Sequence, residues 1–160
     1  MEFASLIYVH DSAGRWLLMR REKEPNLGLW TPVGGHYEAK LRETVHESAA
    51  RELREELLLA ASPSGLRLRG IACERGSTPD GGGHADWMLF ICSILLEPAA
   101  VPARGPEGEL RWFTREEIRS LAIPETDRDI LWPIIWENGP FFAVSMEWDG
   151  RAVTGWKREQ

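Results

Sequence analysis

Hydrophobic residues fall in short runs separated by turn-forming residues along most of this chain, a pattern that predicts a protein rich in β-strands. The predicted strands cover residues 6–9, 16–19, 30–33, 66–73, 87–96 and 110–113. Asp-Ser-Ala-Gly at 11–14 joins the first two runs and is typical of a hairpin with a glycine-assisted loop. Gly34-Gly35 is expected to break the third strand, residues 76–83 to form a loop, and the stretch 98–108 to run over the surface.

One segment has helical periodicity instead and predicts a helix from about Thr44 to Leu59. Thr44 and Glu47 have the S/T-x-x-E spacing of a capping box, so Thr44 is the predicted N-cap. Apolar residues repeat every four positions along this helix and would face the core: Val45, Ala49, Leu53 and Leu57. The helix therefore has one apolar face that packs on the core and a second, charged face that does not.

Two further helices and a hairpin complete the pattern. Helices are predicted to open at Thr114 and to cover residues 127–137. Residues 141–148 and 151–156 flank Asp149-Gly150, a type I′ hairpin signal. Strands and helices alternate irregularly without repeats or a linker, so we predict a single domain over residues 1–160. The expected fold class is α+β, with a mixed β-sheet packed between helices as an α/β/α sandwich.

Composition and charge narrow the range of partners. At 160 residues, 43% hydrophobic and 28% charged, the chain has ordinary globular composition. A formal charge of -6 would repel a polyphosphate backbone, which argues against binding to DNA or RNA as polymers. A small phosphorylated ligand is compatible with that charge where a metal ion neutralises it locally. Neither a signal peptide nor a membrane-spanning run is recognisable, so we expect a cytoplasmic protein without a membrane partner.

The chemistry is concentrated in a cluster of carboxylates on the long helix. Glu52, Glu55 and Glu56 are spaced i, i+3 and i+4, which places them on one helix face. Like charges at this spacing repel one another, and oxygen-only ligands suit Mg²⁺ or Mn²⁺. The alternative is a solvated acidic face balanced by neighbouring arginines. Gly34-Gly35 favours the metal interpretation, because glycines let the backbone approach a ligand closely.

These residues resemble the signature of the Nudix hydrolase family: a Gly, five residues, Glu, seven residues, Arg-Glu, an aliphatic, any residue, Glu-Glu, any residue, Gly and an aliphatic. Here Glu43 precedes Arg51-Glu52 by seven residues, and the charged positions after it follow in register. The resemblance implies that the metal ligands are Glu52, Glu55, Glu56 and the carbonyl of Gly34. It also implies a supporting ion pair between Arg51 and Glu43, and Mg²⁺ or Mn²⁺ as the cofactor.

The chain departs from the family pattern at two places. Seven residues instead of five separate Gly35 from Glu43, which lengthens a loop but keeps every charged position. Leu58 stands where the family has Gly near the end of the signature, and we expect it to extend or reshape the end of the helix.

Other candidate site residues lie outside the signature. Glu56 or Glu55 is the candidate proton acceptor. Glu109 precedes a predicted strand where the family often has an acidic residue, so it is a further candidate for that role and for metal binding, unless it is a loop residue in solvent. A looser resemblance to MutT-type enzymes covers the carboxy-terminal third and implies that Glu125 and Asp127 contact a purine. The remaining candidates for substrate binding are Trp30, which could instead pack in the core, and Arg20, which could instead face solvent.

The resemblance implies hydrolysis of a nucleoside diphosphate linked to another group. A nucleoside triphosphate is favoured, including an oxidised purine such as 8-oxo-dGTP, with the monophosphate and pyrophosphate as products. The alternatives are hydrolysis of another such compound, for example ADP-ribose, or a nucleotide-sensing module that binds without hydrolysis. The expected partner is a small-molecule nucleotide, and the chain is expected to be a monomer or a homodimer.

Overall fold

The structure, a computed structural model, describes residues 1–77 and 83–160, so the predicted loop at 76–83 lies largely outside the described residues. The described residues form a ten-stranded sheet. Its strands are β1 Glu2–His10, β2 Trp16–Arg21, β3 Trp30–Thr31, β4 Val33–His36, β5 Arg67–Gly76, β6 Trp87–Leu95, β7 Arg104–Gly105, β8 Gly108–Phe113, β9 Phe142–Trp148 and β10 Val153–Arg158. The main path through the sheet is β10-β9-β5-β6-β1-β2-β8-β7, and β3 and β4 pair with β2 and β1.

Parallel and antiparallel neighbours are mixed in this sheet. β1 runs parallel to β6, and β5 runs parallel to β9, while the other neighbours are antiparallel. The predicted hairpin at 11–14 is present, with Val9 opposite Leu17. The prediction that Gly34-Gly35 breaks a strand was wrong. β4 continues through both glycines, because β1 supplies backbone partners for them, with Gly35 opposite Ser5.

The long helix, α1, covers Val45–Leu57 and begins as predicted. Thr44 is its N-cap, and the reciprocal bonds of the capping box with Glu47 are both present. Leu58 does not extend the helix. It takes the left-handed conformation, with φ 56°, that glycine usually adopts at this position. Among the described residues, no helix is long and apolar enough to cross a membrane.

Two shorter helices follow in the carboxy-terminal half. α2, Arg115–Ile118, opens with a second capping box between Thr114 and Glu117. The predicted helix at 127–137 is a π-helical turn, Asp127–Leu131, followed by α3, Trp132–Glu137. Asn138 ends α3 in the left-handed conformation, as its position before Gly139 predicts.

The sheet lies between two hydrophobic cores because alternate residues of each strand point to opposite faces. In β1, Tyr8 belongs to the core under the π-helical turn and α3, whereas Ile7 and Val9 belong to the core under α1. The predicted stripe of α1 is confirmed, since Ala49, Leu53 and Leu57 are fully buried in the second core. The expected α/β/α sandwich with helices on both faces is therefore confirmed.

The closing hairpin joins the sheet beside β5. Its strands match the prediction, but its turn does not. Residues 149–152 form the loop, Gly150 has a positive φ while Asp149 does not, and the Asp149 carboxylate accepts the N–H groups of Arg151 and Ala152. This bonding of an aspartate side chain to the following backbone replaces the predicted type I′ turn.

Candidate active site

The carboxylate cluster of α1 lies against the two glycines of β4. The backbone N–H of Gly34 donates to Glu56 Oε2 at 2.7 Å. A Cβ on Gly34 would lie 2.0 Å from the Ser5 carbonyl oxygen, and one on Gly35 would lie 2.3 Å from Glu52 Oε2. No larger residue fits at either position without displacing β1 or the carboxylate. The Gly-Gly pair therefore lets β4 pack closely on β1 and on the Glu52 carboxylate, while the expected approach to a bound ligand stays a prediction.

Arg51 holds the charged residues of α1 and the loop before it in one network. Its guanidinium donates to Glu43 at 2.9 Å, to Glu52 at 2.5 Å, to Glu55 at 3.3 Å and to the His36 carbonyl at 3.0 Å. Burial alone would lower the pKa of Arg51, but the hydrogen bonds to Glu43 and Glu52 raise it above its ordinary range. Arg51 therefore stays cationic and ties the loop to the helix.

The lengthened loop before Glu43 keeps this network intact. Residues Ala39–Leu41 form a 3-10 turn, and Arg42 takes a positive φ of 55°. The Tyr37 hydroxyl donates to the Glu43 carbonyl. The two additional residues are accommodated in this turn, so the Glu43 carboxylate still reaches Arg51.

Glu52 and Glu56 are carboxylates buried against the protein, with only 6% and 4% of their surfaces exposed. The pKa of Glu56 is raised to about 8, chiefly by burial. The hydrogen bond from the Gly34 N–H lowers this pKa, whereas the charges of Glu52 and Glu107 raise it further. Burial also raises the pKa of Glu52, although Arg51 partly offsets this. By contrast, 58% of the Glu55 side chain is exposed. Negative charge on the buried pair thus lacks sufficient compensation from the protein.

A cleft of about 1040 Å³ opens over this cluster. Glu52, Glu55 and Glu56 line it, together with Gly34 and Arg51. The acidic side chains of the cluster offer only oxygen atoms as metal ligands, and the buried pair Glu52 and Glu56 has little positive charge around it. These residues therefore fit a hard divalent cation such as Mg²⁺ or Mn²⁺. Within residues 1–77 and 83–160, however, no three His, Cys, Asp or Glu side chains converge as a formed metal cluster.

A fourth acidic residue of the cleft is Glu107, which the sequence analysis missed. It lies in the turn between β7 and β8, lines the cleft, and raises the pKa of both Glu52 and Glu56. The turn packs closely on α1, since a Cβ on Gly105 would lie 2.1 Å from the Glu56 carbonyl oxygen. The signal in the sequence was an acid between turn residues, Gly-Pro-Glu-Gly at 105–108.

Glu109, the predicted ligand, is placed elsewhere. It is exposed on β8 opposite Arg20, and it is not among the residues that line the cleft. Only Gly108 separates it from Glu107, but β8 begins at that glycine, so the turn and the strand direct the two side chains to different surroundings.

The predicted substrate residues divide in the same way. Glu125 and Asp127 line the cleft, whereas Trp30 and Arg20 do not. Trp30 is partly buried and packs against the core, edge-to-face on Phe113 with ring centroids 4.8 Å apart. Arg20 is exposed, and the neighbouring basic residues that line the cleft are instead Arg21 and Lys23.

Arg21 and Lys23 bring positive charge to the same cleft. Arg21 lies 3.8 Å and Lys23 3.6 Å from carboxylate oxygens of Glu107. Arg21 also lowers the pKa of Glu56 through its charge. The cleft therefore carries acidic groups for a cation and basic groups for an anion next to each other, an arrangement suited to a metal-bound phosphate.

Comparison with known proteins places this arrangement in context. Residues 2–132 match the family model described as the NUDIX domain. A MutT protein from Bacillus halodurans is 21% identical and superimposes with a TM-score of 0.79 over 99% of this chain and 98% of its own. The NUDIX domain of Shewanella oneidensis NrtR, solved with ADP ribose, is 16% identical, with a TM-score of 0.66 over 85% and 86% of the two chains. At these identities the similarity shows a shared fold.

Proposed function

This chain belongs to the NUDIX domain family, and from that premise we propose that it hydrolyses the diphosphate linkage of a nucleotide with the help of Mg²⁺ or Mn²⁺. The proposed substrate is a nucleoside triphosphate, including an oxidised purine form such as 8-oxo-dGTP. Cleavage would give the nucleoside monophosphate and pyrophosphate. The observation that carries the proposal is the buried, undercompensated pair Glu52 and Glu56 beneath a cleft that also presents Arg21 and Lys23.

The buried carboxylates would hold the cation. Glu52 and Glu56 are fixed by Arg51 and by the Gly34 N–H, so their positions are set before a ligand arrives. Glu107 adds a third carboxylate from the β7–β8 turn, and the Gly34 carbonyl remains a proposed ligand beside them. Bound there, Mg²⁺ would polarise the diphosphate and make a water molecule more acidic.

The basic residues of the cleft would bind the phosphate chain. Arg21 and Lys23 each form an ion pair with Glu107, at distances of 3.8 and 3.6 Å. A divalent cation taken up by Glu107 would satisfy that carboxylate and leave both basic groups to interact with phosphate oxygens. The nucleotide and the metal would therefore favour each other's binding.

Glu55 is the proposed proton acceptor for the attacking water. It lines the cleft and is the most exposed of the three helix carboxylates, so water reaches it directly. Arg51 contacts it at 3.3 Å and holds its side chain over the cleft. Glu56 is less suited to this step because it is buried and bonded to the backbone of Gly34.

The experiment is a hydrolysis assay over a nucleotide panel with and without Mg²⁺. The panel contains ordinary and 8-oxo-purine triphosphates, ADP-ribose, dinucleoside polyphosphates and coenzyme A, and release of phosphate and pyrophosphate is measured. Glu56→Gln should lower kcat by about a hundredfold or more, because it removes a charged ligand from the site. The matched control is Glu147→Gln, an exposed residue outside the cleft.

Each outcome of this assay decides between functions. Release that requires Mg²⁺ and collapses only in Glu56→Gln supports the hydrolase, and the preferred compound identifies the substrate. Preference for ADP-ribose would replace the triphosphate as substrate. Binding of metal and nucleotide without release from any compound would show a sensing module and overturn the hydrolase.

A further inference from the structure

A second cavity, of about 300 Å³, is lined by α1, by the loop that precedes this helix and by the 3-10 turn Pro63–Gly65 that follows it. Leu41 contributes from the loop and Pro63 from the turn. Ala50 is only 2% exposed, so its small side chain lies at the bottom of the cavity. The loop is the one that is two residues longer than the family signature, so this wall is a feature of the present chain.

Basic side chains outnumber acidic ones around the second cavity. It is lined by three arginines and two glutamates: Arg42, Arg51, Arg54, Glu43 and Glu47. Both carboxylates are already bonded within the protein. Glu43 accepts from Arg51 at 2.9 Å, and Glu47 accepts the N–H and the hydroxyl of Thr44, each at 2.8 Å. The acidic groups of the cavity are therefore engaged before any ligand binds.

Arg42 and Arg54 supply positive charge that nothing in the described part of the chain neutralises. Both side chains are exposed, and within residues 1–77 and 83–160 neither forms an ion pair or a side-chain hydrogen bond. The chain as a whole has a formal charge of -6. The second cavity is thus a local positive region on an acidic protein, which attracts anions.

The loop holds Arg42 in a defined backbone position. Arg42 has a φ of 55°, a conformation that is unfavourable for a residue with a side chain. Before it, the Leu41 N–H donates to the Glu38 carbonyl at 2.9 Å, and after it the Tyr37 hydroxyl donates to the Glu43 carbonyl. A strained backbone persists only where its surroundings fix it, and such positions are concentrated at ligand sites.

Arg51 connects the second cavity with the cleft, because it lines both. Its guanidinium donates to Glu43, which lines the second cavity, and to Glu52 and Glu55, which line the cleft. An anion in the second cavity would interact with the same guanidinium and add negative charge close to the carboxylates of the cleft. Such a charge favours the binding of a cation there.

We propose that the second cavity binds a small oxyanion of the phosphate class through Arg42 and Arg54, and that this anion strengthens cation binding in the cleft through Arg51. The oxygens of a tetrahedral oxyanion accept from guanidinium groups on two sides. The volume of about 300 Å³, against about 1040 Å³ for the cleft, favours free phosphate over the phosphate group of a whole nucleotide. The anion site is independent of the proposed function, whereas its effect on the cation rests on it.

The first experiment titrates the full chain with inorganic phosphate in EDTA, followed by calorimetry. Arg42→Gln and Arg54→Gln should each weaken phosphate binding about fivefold or more, because each variant removes a charge-assisted hydrogen bond. Both side chains are exposed, so the variants should fold. Two controls remove an arginine elsewhere: Arg67→Gln, exposed and lining neither cavity, and Arg21→Gln, in the cleft. Each control should change the affinity about twofold or less.

The variants distinguish the possible locations of the anion. Absence of saturable phosphate binding, or an equal loss in Arg67→Gln, would overturn the anion site. A loss confined to Arg21→Gln would place phosphate in the cleft and overturn it as well. AMP is titrated as the second ligand. AMP binding that is tighter than phosphate binding and is lost in Arg42→Gln would overturn the assignment to a free oxyanion.

The second experiment measures Mg²⁺ affinity with and without saturating phosphate. In wild type, phosphate should lower the dissociation constant of Mg²⁺ about threefold or more, and Mg²⁺ should strengthen phosphate binding by the same factor. The effect should disappear in Arg42→Gln and Arg54→Gln and persist in Arg67→Gln. An effect lost only in Arg21→Gln would arise from phosphate in the cleft and would overturn the link through Arg51.

The two experiments separate this inference from the proposed function. Phosphate binding that depends on Arg42 and Arg54 without any effect on Mg²⁺ would overturn the link but not the anion site. Failure of Mg²⁺ to bind at all would contradict the proposed function and the link with it, while the titration in EDTA still decides the anion site.

Discussion

Glu56 combines burial, like charges and one backbone hydrogen bond in a single side chain. It accepts the Gly34 N–H, which favours the ionised form, but burial and the nearby Glu52 and Glu107 favour the neutral form. Such a carboxylate is destabilising while it is charged and becomes favourable when a cation binds. The same property that would attract the metal therefore lowers the stability of the metal-free chain.

The first prediction concerns Glu56→Gln in the absence of metal. The folded-state pKa of Glu56, about 8, lies above the ordinary value of 4.5, so folding takes up a proton between these pH values. As the pH rises through this window, ionisation of Glu56 therefore lowers the free energy of unfolding by an increasing amount. At about pH 9 the variant should be more stable than wild type by about 1–3 kcal/mol, with little difference at about pH 4.5.

Urea unfolding in EDTA at the two pH values measures this difference. Glu147→Gln is the control, because its side chain is exposed. Asp127 also has a raised pKa and remains in both proteins, so part of the wild-type pH dependence persists in the variant. An equal difference between variant and wild type at both pH values would contradict the prediction.

A second prediction compares Glu107 with Glu109. Glu107→Gln removes a carboxylate that lines the cleft and should raise the Mg²⁺ concentration for half-maximal activity about tenfold or more. Glu109→Gln changes an exposed residue on β8 and should shift it much less. Magnesium titrations of both variants make the comparison. A larger shift in Glu109→Gln would restore the assignment predicted from sequence.

The two ends of α1 are built in different ways. Its beginning has a capping box, with the Thr44 side chain bonded to Glu47 N and the Glu47 carboxylate bonded to Thr44 N. Its end has Leu58 in the left-handed conformation, with no glycine to relieve the contact between Cβ and backbone.

The third prediction is that Leu58→Gly stabilises the protein by about 0.5–1 kcal/mol, because glycine adopts positive φ without strain. Little burial is lost, since Leu58 is 69% exposed. Leu58→Ala is the control: it removes the same side chain but keeps the Cβ, so it should give a much smaller gain. Thermal unfolding of the three proteins tests this, and equal gains in both variants would contradict it.

The core under α3 includes residues beyond the segment 2–132 that the family model matches. β9 pairs with β5 and buries Phe142, Val144 and Met146 in the core under α3. The same pairing brings Trp148 to the cleft. The carboxy-terminal hairpin therefore contributes both to the stability of the molecule and to one wall of the candidate site.

A fourth prediction tests this contribution. Val144→Ala leaves a cavity at a residue that is 2% exposed and should destabilise the protein by about 1–3 kcal/mol. Thr154→Ala, on the exposed strand β10, is the control and should change stability by less than about 0.5 kcal/mol. Urea unfolding provides the values. A similar small effect in both variants would show that β9 is not part of the cooperative core.

Local signals predicted most of the elements. Short hydrophobic runs bounded by turn residues found the long strands, and the capping box at Thr44 located the start of α1 within one residue. The prediction failed at Gly34-Gly35, where a poor strand former is held in the sheet by β1. It also failed at the last turn, where the Asp149 side chain replaces the expected backbone geometry. In both cases specific hydrogen bonds decided the backbone conformation, and the intrinsic preference of the residues did not.

The sequence by itself determined the helix that carries the carboxylates and the Gly-Gly pair before it, because spacing along a helix fixes which groups can share a face. The Arg51–Glu43 pair was implied by the family resemblance, and the structure contains it. Only the tertiary structure decided that Glu107 and Arg21 line the cleft while Glu109 and Arg20 do not. It also placed Glu74 and Asp127, far apart in sequence, along the same cleft. A site assembled from several strands depends on sheet order and on which face each residue takes, and spacing along one segment contains neither.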